Sequence, residues 1–200
     1  PVILRVGDSS VGTLGNFSAS TGKAKSKKTF NVCAIVAAAM TGSTVLNYSA
    51  SLPPERRRIL YVDTEQSRFH CKRVLCRILR LAGLPTDVHP PLLEFLCLRG
   101  YATKDRLKKI EEAIYEIDDL GLVVIDGIRD LVHDINSPGE ATDLITKLMQ
   151  WTDERRIHIH TVLHLNKGDD NTRGHLGTEL NNKAETVLQI TKDDFDRDIS

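Results

Sequence analysis

The sequence predicts an α/β fold of three layers, α/β/α, in which helices cover both faces of a mostly parallel sheet. Short apolar runs of strand length alternate along the chain with longer segments of helical periodicity. A loop rich in lysine lies between an early apolar stretch and the first helical run. Successive strands joined through helices require right-handed crossovers, which place helices on both faces of the sheet.

The predicted elements follow each other in a regular order. The strands are residues 3–6, 14–19, 59–62, 92–98, 122–125, 157–165 and 186–190. The helices are residues 30–40, 66–82 and 104–120, and a fourth from the capping box and proline of residues 137–140 to about residue 154. Thr103 is expected to cap the third helix. The first two strands, joined through turn signals at residues 7–8 and 11–12, predict an N-terminal β-hairpin.

Composition limits the classes of function. A chain of 200 residues with 40% hydrophobic content predicts one globular domain over residues 1–200, which could be excised from a longer protein because it begins with Pro1. Lys plus Arg and Asp plus Glu both number 27, so no global field attracts nucleic acid or membrane. The longest apolar run, near residues 32–40, is too short to span a bilayer, and we expect a cytoplasmic protein without membrane association.

Cysteine spacing and a run of arginines receive plain structural interpretations. Four cysteines lack the paired close spacing of a zinc site and are expected to be buried thiols. The run Arg56-Arg57-Arg58 is interpreted as part of a solvated loop rather than a nucleic-acid contact.

The loop between the second strand and the first helix carries the strongest functional signal. Its spacing fits the phosphate-binding pattern G-x-x-x-x-G-K-[ST], although Lys27 stands where the second glycine is expected. Backbone N–H groups and the helix N-terminus would bind phosphate, Lys28 would reach the β and γ phosphates, and Thr29 would ligate Mg²⁺. A basic surface loop is the alternative. The candidate phosphate-binding residues are Gly22, Lys23, Ala24, Lys25, Ser26, Lys27, Lys28 and Thr29.

Three strands end in residues that suit nucleotide chemistry. Asp126 ends an apolar run and is the candidate Mg²⁺ carboxylate beside Thr29. Asp63 and Glu65 are expected on one side of their strand end, and Glu65 is favoured as the residue that activates a water. A helix cap is the alternative for this pair. His164 and Asn166 could sense the γ-phosphate.

The region after His164 is predicted to be a long polar loop over residues 168–183. Lys167 and Arg173 are candidates for contacts with DNA or with the nucleotide of a neighbouring subunit, and a plain flexible loop is the alternative. Histidines 158, 160 and 164 share a strand face; satisfied structural residues are favoured there over a metal site.

Taken together, these segments resemble the RecA-like P-loop ATPases, particularly the branch of plasmid RepA and DnaB-type hexameric helicases. The residues that carry the resemblance are 22–29, 61–65, 123–126, 164–167 and 173–174 followed by 184–188, in the order of the family. The resemblance implies a RecA-type core, ATP and Mg²⁺, Glu65 as the water-activating carboxylate and Asp126 on the metal side. It also implies His164 and Asn166 as phosphate sensors, with Lys167 or Arg173 as a finger toward a neighbour.

Three hypotheses of function follow. The first is an ATPase that acts as a homo-oligomeric ring on single-stranded or double-stranded DNA, as members of this branch do in plasmid replication, mobilisation or helicase loading. The second is a nucleotide-dependent switch or assembly module with little hydrolysis, which Lys27 favours. The third, a small-molecule phosphotransferase, ranks last because no lid or acceptor pocket is evident.

Overall fold

The computed structural model of the chain describes residues 1–24, 26–165 and 174–191. Its strands are β1 Val2–Val6, β2 Ser9–Thr13, β3 Phe17–Gly22, β4 Thr44–Val45, β5 Tyr48–Ala50, β6 Arg58–Asp63, β7 Leu93–Cys97, β8 Leu120–Asp126, β9 His158–His164 and β10 Thr186–Gln189. Its α-helices are α1 Lys28–Thr41, α2 Arg68–Leu81, α3 Thr103–Glu116, α4 Pro138–Arg155 and α5 Gly174–Lys183, with short 3-10 helices at Pro54–Arg56 and Ile128–Leu131.

A six-stranded sheet forms the centre of the fold, in the order β10-β3-β9-β8-β6-β7. All five pairings between neighbouring strands in this sheet are parallel. One face packs on a core that includes Trp151 of α4 and residues of α3 and α5, and the other packs on a core built around α1 and α2. The predicted three-layer α/β class is therefore confirmed.

Strand alternation divides the central residues between these two cores. In β6, Leu60 and Val62 join the core of α3, α4 and α5, while Ile59 and Tyr61 join the core of α1 and α2. Helix α1 is buried almost all round because it lies between the central sheet and a second, smaller sheet. This explains why the run from 30 to 40 is apolar on every side rather than amphipathic.

The smaller sheet is antiparallel, in the order β2-β1-β5-β4, and corrects the predicted hairpin. The partner of β1 is β2, whereas the strand expected over residues 14–19 begins at Phe17 and lies in the central sheet. Gly12 is not a turn residue. It lies in β2, where a Cβ would come 2.7 Å from the ring of His158, so the close approach requires glycine. Strands β4 and β5 lie between α1 and β6, where the sequence predicts no element.

The predicted long polar loop is also wrong in part, because residues 174–183 form α5. Leu176 and Leu180, one helical turn apart, are fully buried in the core beside α4. Residues 166–173 lie outside the described part of the chain.

Two helix ends need correction as well. Ala102, not Thr103, is the N-cap of α3, and the helix ends at Glu116 because Leu120 already pairs with Arg58 in the sheet. Ser137 caps α4 as predicted, since its hydroxyl accepts the N–H of Glu140 at 3.3 Å. Among the described residues, no helix has the length and apolar content needed to cross a membrane.

Parallel pairing brings the carboxyl ends of the strands to one edge of the central sheet. Gly22 is paired with His164, and Asp63 is paired with both Asp126 and Cys97. Side chains that are far apart in sequence therefore converge at this edge, which is where ligands bind in open parallel sheets.

Candidate nucleotide-binding site

The loop from Gly22 to Lys28 connects β3 to α1 at the carboxyl edge of the sheet. A Cβ on Gly22 would lie 2.4 Å from the carbonyl oxygen of Ile190 and 2.5 Å from the Ser26 hydroxyl. Only glycine fits there without displacing the end of β10 or the loop itself. Ser26 is buried, and its N–H donates to the carbonyl of Lys23 at 3.2 Å in a tight turn. The predicted contact of Lys25 lies outside the described residues.

Lys28 is buried at the base of the loop although it carries a charge. Its ammonium donates to the carbonyls of Gly22 at 2.8 Å and Lys23 at 2.6 Å. Burial lowers the pKa of Lys28, while the nearby carboxylates of Asp126 and Glu65 oppose this shift. A lysine ammonium whose hydrogen-bond partners among the described residues are neutral oxygens can exchange them for an anionic ligand.

Lys27 has a left-handed backbone conformation, which glycine adopts without strain. Its φ of 62° and ψ of 24° are left-handed, and it is the N-cap of α1 without a side-chain cap hydrogen bond. A residue with a Cβ in this region is strained by about 1–2 kcal/mol. The loop therefore has, at Lys27, a backbone conformation that favours glycine, at an energetic cost to lysine.

Thr29 and Asp126 meet across the edge of the sheet. The Thr29 hydroxyl donates to Asp126 Oδ2 at 3.1 Å, and the hydroxyl of the buried Tyr61 donates to the same oxygen at 2.8 Å. Asp126 is only 7% exposed, and burial raises its pKa to about 6, against the lowering effect of the hydrogen bonds from Tyr61 and Thr29. A hydroxyl and a carboxylate are hard oxygen donors, the ligand type that Mg²⁺ prefers, so these residues fit the ion.

Asp63 and Glu65, predicted to lie on one side of their strand end, differ in burial and in hydrogen-bond partners. Strand β6 ends at Asp63, whose buried carboxylate accepts the N–H groups of Glu65 at 3.0 Å and Gln66 at 2.8 Å. Asp63 therefore holds the turn. Glu65 is 40% exposed and lies 3.6 Å from Nε2 of His164, which lines the cleft.

The His164 imidazole lowers the pKa of Glu65, and the charges of Lys28 and Arg129 act in the same direction. Glu65 is thus kept ionised. The Nδ1 of His164 is buried and has no hydrogen-bond partner among the described residues. The imidazole of His164 therefore has a carboxylate partner at Nε2 and no hydrogen-bond partner among the described residues at Nδ1. Asn166, the second predicted phosphate sensor, lies outside the described residues, as do Lys167 and Arg173, the candidates for contacts with DNA or a neighbouring subunit.

A cleft of about 590 Å³ opens in front of the loop, within the range of small-ligand sites. Its lining residues are Ser26, Lys27, Lys28, Thr29, Phe30, Arg77 and His164.

Three side chains near the cleft were not found from the sequence: Tyr61, Phe30 and Arg77. A tyrosine inside the apolar run of β6 signals a buried hydroxyl that needs a partner, and this signal was available. The approach of Arg77 to Phe30 depends on how α2 packs on α1, for which the sequence offers no local signal.

The histidines of β9 divide between structure and cleft. His158 and His160 are fully buried and contact the hydroxyls of Ser18 and Ser20 on β3 at 2.7–2.8 Å. Only His164 of the three reaches the cleft. Among the described residues, no group of three His, Cys, Asp or Glu side chains is arranged to hold a metal ion.

The arginine run and the cysteines take structural positions. Arg56 donates to the carbonyl of Arg155 at 2.5 Å, and Arg58 forms an ion pair with Glu94. Cys33 and Cys71 are buried, Cys76 and Cys97 are half-buried, and all four are free thiols.

The parallel sheet and the loop before α1 define this chain as a nucleotide-binding protein of the P-loop ATPase type. Comparison with known proteins agrees: a family model described as an AAA domain matches residues 11–170. The chain belongs to this AAA-domain family. No curated protein matches the sequence.

Proposed function

We propose that the chain is an ATPase that binds ATP with Mg²⁺ in the cleft before α1 and hydrolyses it. The observation that carries the proposal is that Thr29, which lines the cleft beside Lys28, donates to Asp126, and that Glu65 lies against His164 in the lining of the same cleft. The AAA-domain match supports the same class of activity.

Each residue has a role that follows from its position. Lys28 would exchange its loop carbonyls for the β and γ phosphates, since it is a point charge with three donors. Thr29 and Asp126 would hold Mg²⁺, which when bound neutralises charge on the β and γ phosphates.

Glu65 would orient and deprotonate the attacking water, because its pKa is lowered and it lies against His164 beside the cleft. His164 lies 3.6 Å from Glu65, so a phosphate that hydrogen-bonds to His164 would also change the electrostatic environment of Glu65. Asn166 would assist this sensing, and Lys167 or Arg173 would reach DNA or a neighbouring nucleotide. These three assignments rest on the resemblance alone.

The finer function in this proposal is action on DNA, as a homo-oligomeric ring of the RepA and DnaB-type helicase branch in plasmid replication or mobilisation. It is supported by the order of the motifs along the chain. A net charge of zero means that affinity for DNA would arise only when basic loops gather in an assembly in the cytoplasm.

A second candidate, a switch or assembly module that binds ATP with little hydrolysis, is favoured by the strained Lys27. A loop that keeps its shape at a cost could bind phosphate well yet place it poorly for attack.

The test measures ATP binding and phosphate release for the wild type and four variants, with and without single-stranded DNA. Lys28→Ala should abolish binding and turnover, while Glu65→Gln should retain binding and lose turnover by at least a hundredfold. Lys72→Ala and Glu55→Gln, at exposed positions, are the matched controls and should behave as the wild type.

Unchanged turnover in both Lys28→Ala and Glu65→Gln would refute the ATPase proposal. Tight binding without phosphate release under every condition would favour the switch. Stimulation by single-stranded DNA, together with the mass of the particle with and without ATP, tests action on DNA and ring assembly.

A further inference from the structure

The cleft has a second wall that the phosphate chemistry does not use. Phe30 follows Thr29 directly on α1 and is half-buried, with its ring forming part of the cleft lining. Arg77 of α2 faces it, and the guanidinium carbon lies 5.8 Å from the centre of the ring. The two side chains thus form one aromatic and cationic wall beside the phosphate loop.

Packing fixes the position of Arg77. Val74 and Ile78, on either side of it in α2, are buried in the core shared with α1. Arg77 also interacts with Cys33, one turn along α1 from Phe30: its charge and a hydrogen bond to the thiol lower the pKa of Cys33, against the raising effect of burial. The guanidinium is held along α1 by contacts at both of these residues.

We propose that Phe30 and Arg77 bind the base of a purine nucleoside triphosphate by its face. This inference rests on the proposed function. A nucleotide with its β and γ phosphates at Lys28 and its Mg²⁺ at Thr29 continues along the cleft to the next wall, which these residues form. An aromatic ring and a planar guanidinium both stack on bases, and larger purine rings gain more from stacking.

The chemistry of this wall also sets the selectivity. Phenylalanine offers no hydrogen bond, and an arginine offers donors but no acceptor. Both adenine and guanine present acceptors that an arginine can serve. Because the described residues of this wall do not pair a donor with an acceptor toward the base edge, ATP and GTP should bind with affinities within about tenfold of each other.

The experiment is equilibrium binding of three ligands with Mg²⁺: ATP, GTP and inorganic tripolyphosphate, which has no base. Phe30→Ala and Arg77→Ala should each weaken ATP and GTP by about tenfold to a hundredfold and leave tripolyphosphate unchanged. Phe30→Trp should retain nucleotide affinity. Arg80→Ala, at an exposed position on the same helix, is the matched control and should have no effect. Unchanged tripolyphosphate binding also shows that a variant is folded.

Two results would overturn the proposal: nucleotide affinity that is unaffected in both Phe30→Ala and Arg77→Ala, or a preference of the wild type for either ATP or GTP well beyond about tenfold. A Lys28→Ala variant separates this failure from failure of the proposed function. If Lys28→Ala weakens all three ligands while Phe30→Ala weakens none, only the base wall is wrong. If Lys28→Ala leaves all three unchanged, the phosphate site itself is wrong.

Discussion

Acidification should destabilise this protein through a buried chain of hydrogen bonds between β3 and β9. The chain has a fixed direction because it ends on a carbonyl oxygen, which can only accept. His158 Nδ1–H donates to the carbonyl of Thr13 at 2.8 Å, so His158 Nε2 accepts from Ser18. Ser18 then accepts from His160 Nδ1–H, and His160 Nε2 accepts from Ser20. Each ring nitrogen of His158 and His160 thus has a hydrogen-bond partner while both imidazoles are neutral.

The pKa of His160 gives the magnitude. Burial, together with the neighbouring His158, lowers it from 6.5 to about 3. An unfolded chain therefore takes up a proton at His160 below pH 6.5, while the folded protein does not until about pH 3. Stability from this residue is complete above pH 6.5 and is lost as the pH falls through that window. Between pH 7 and pH 5 the loss is about 2 kcal/mol, at about 1.36 kcal/mol per pH unit below 6.5.

The measurement is chemical denaturation at pH 7 and pH 5 for the wild type and His160→Gln, which does not titrate. The difference in unfolding free energy between the two proteins should narrow by about 2 kcal/mol at pH 5, because only the wild type loses this contribution. Comparing the two cancels groups that do not contact His160, such as the buried Asp126. His70→Gln, at an exposed position, should show no such change. Parallel loss of stability in the wild type and His160→Gln would refute the reasoning.

Three further variants test other parts of the structure. Tyr61→Phe removes one of two hydrogen bonds to Asp126. It should weaken Mg²⁺-dependent nucleotide binding about tenfold in a Mg²⁺ titration, while the binding of tripolyphosphate in EDTA stays unchanged. Lys27→Gly should raise the free energy of unfolding by about 1 kcal/mol, as should Arg156→Gly at another left-handed position; a loss in both would contradict the strain argument. Ser137→Ala should cost about 1 kcal/mol in denaturation by loss of the α4 cap, and a neutral result would dismiss the cap.

Much of the fold could be predicted because local patterns encode it. Apolar runs such as residues 122–125 read as strands, and the capping box at Ser137 marks the start of α4. The errors came where a local signal had a distant cause. The turn signal at Gly12 is one case: no turn lies there, and the His158 ring from another strand leaves no room for a Cβ. Leu176 and Leu180 are another: they lie in a segment whose polar composition predicts a loop, but their spacing of four matches the buried face of α5.

The candidate site could be predicted in part. Position along the chain located Thr29, Asp126, Glu65 and His164 at the ends of elements, and their roles remain predictions. The separate environments of Asp63 and Glu65 could not be predicted, because alternation applies only while the strand continues.

The sequence by itself determined the alternation of strands and helices, the loop before α1 and the order of the polar strand ends, since each is written in neighbouring residues. Tertiary structure decided which of them meet. Asp126 reaches Thr29 and Tyr61 because β8 lies beside β6 in the sheet, and Arg77 faces Phe30 because α2 packs on α1. The physical reason is that these contacts depend on strand order and helix packing, which arise from burial of the whole core rather than from any local run of residues.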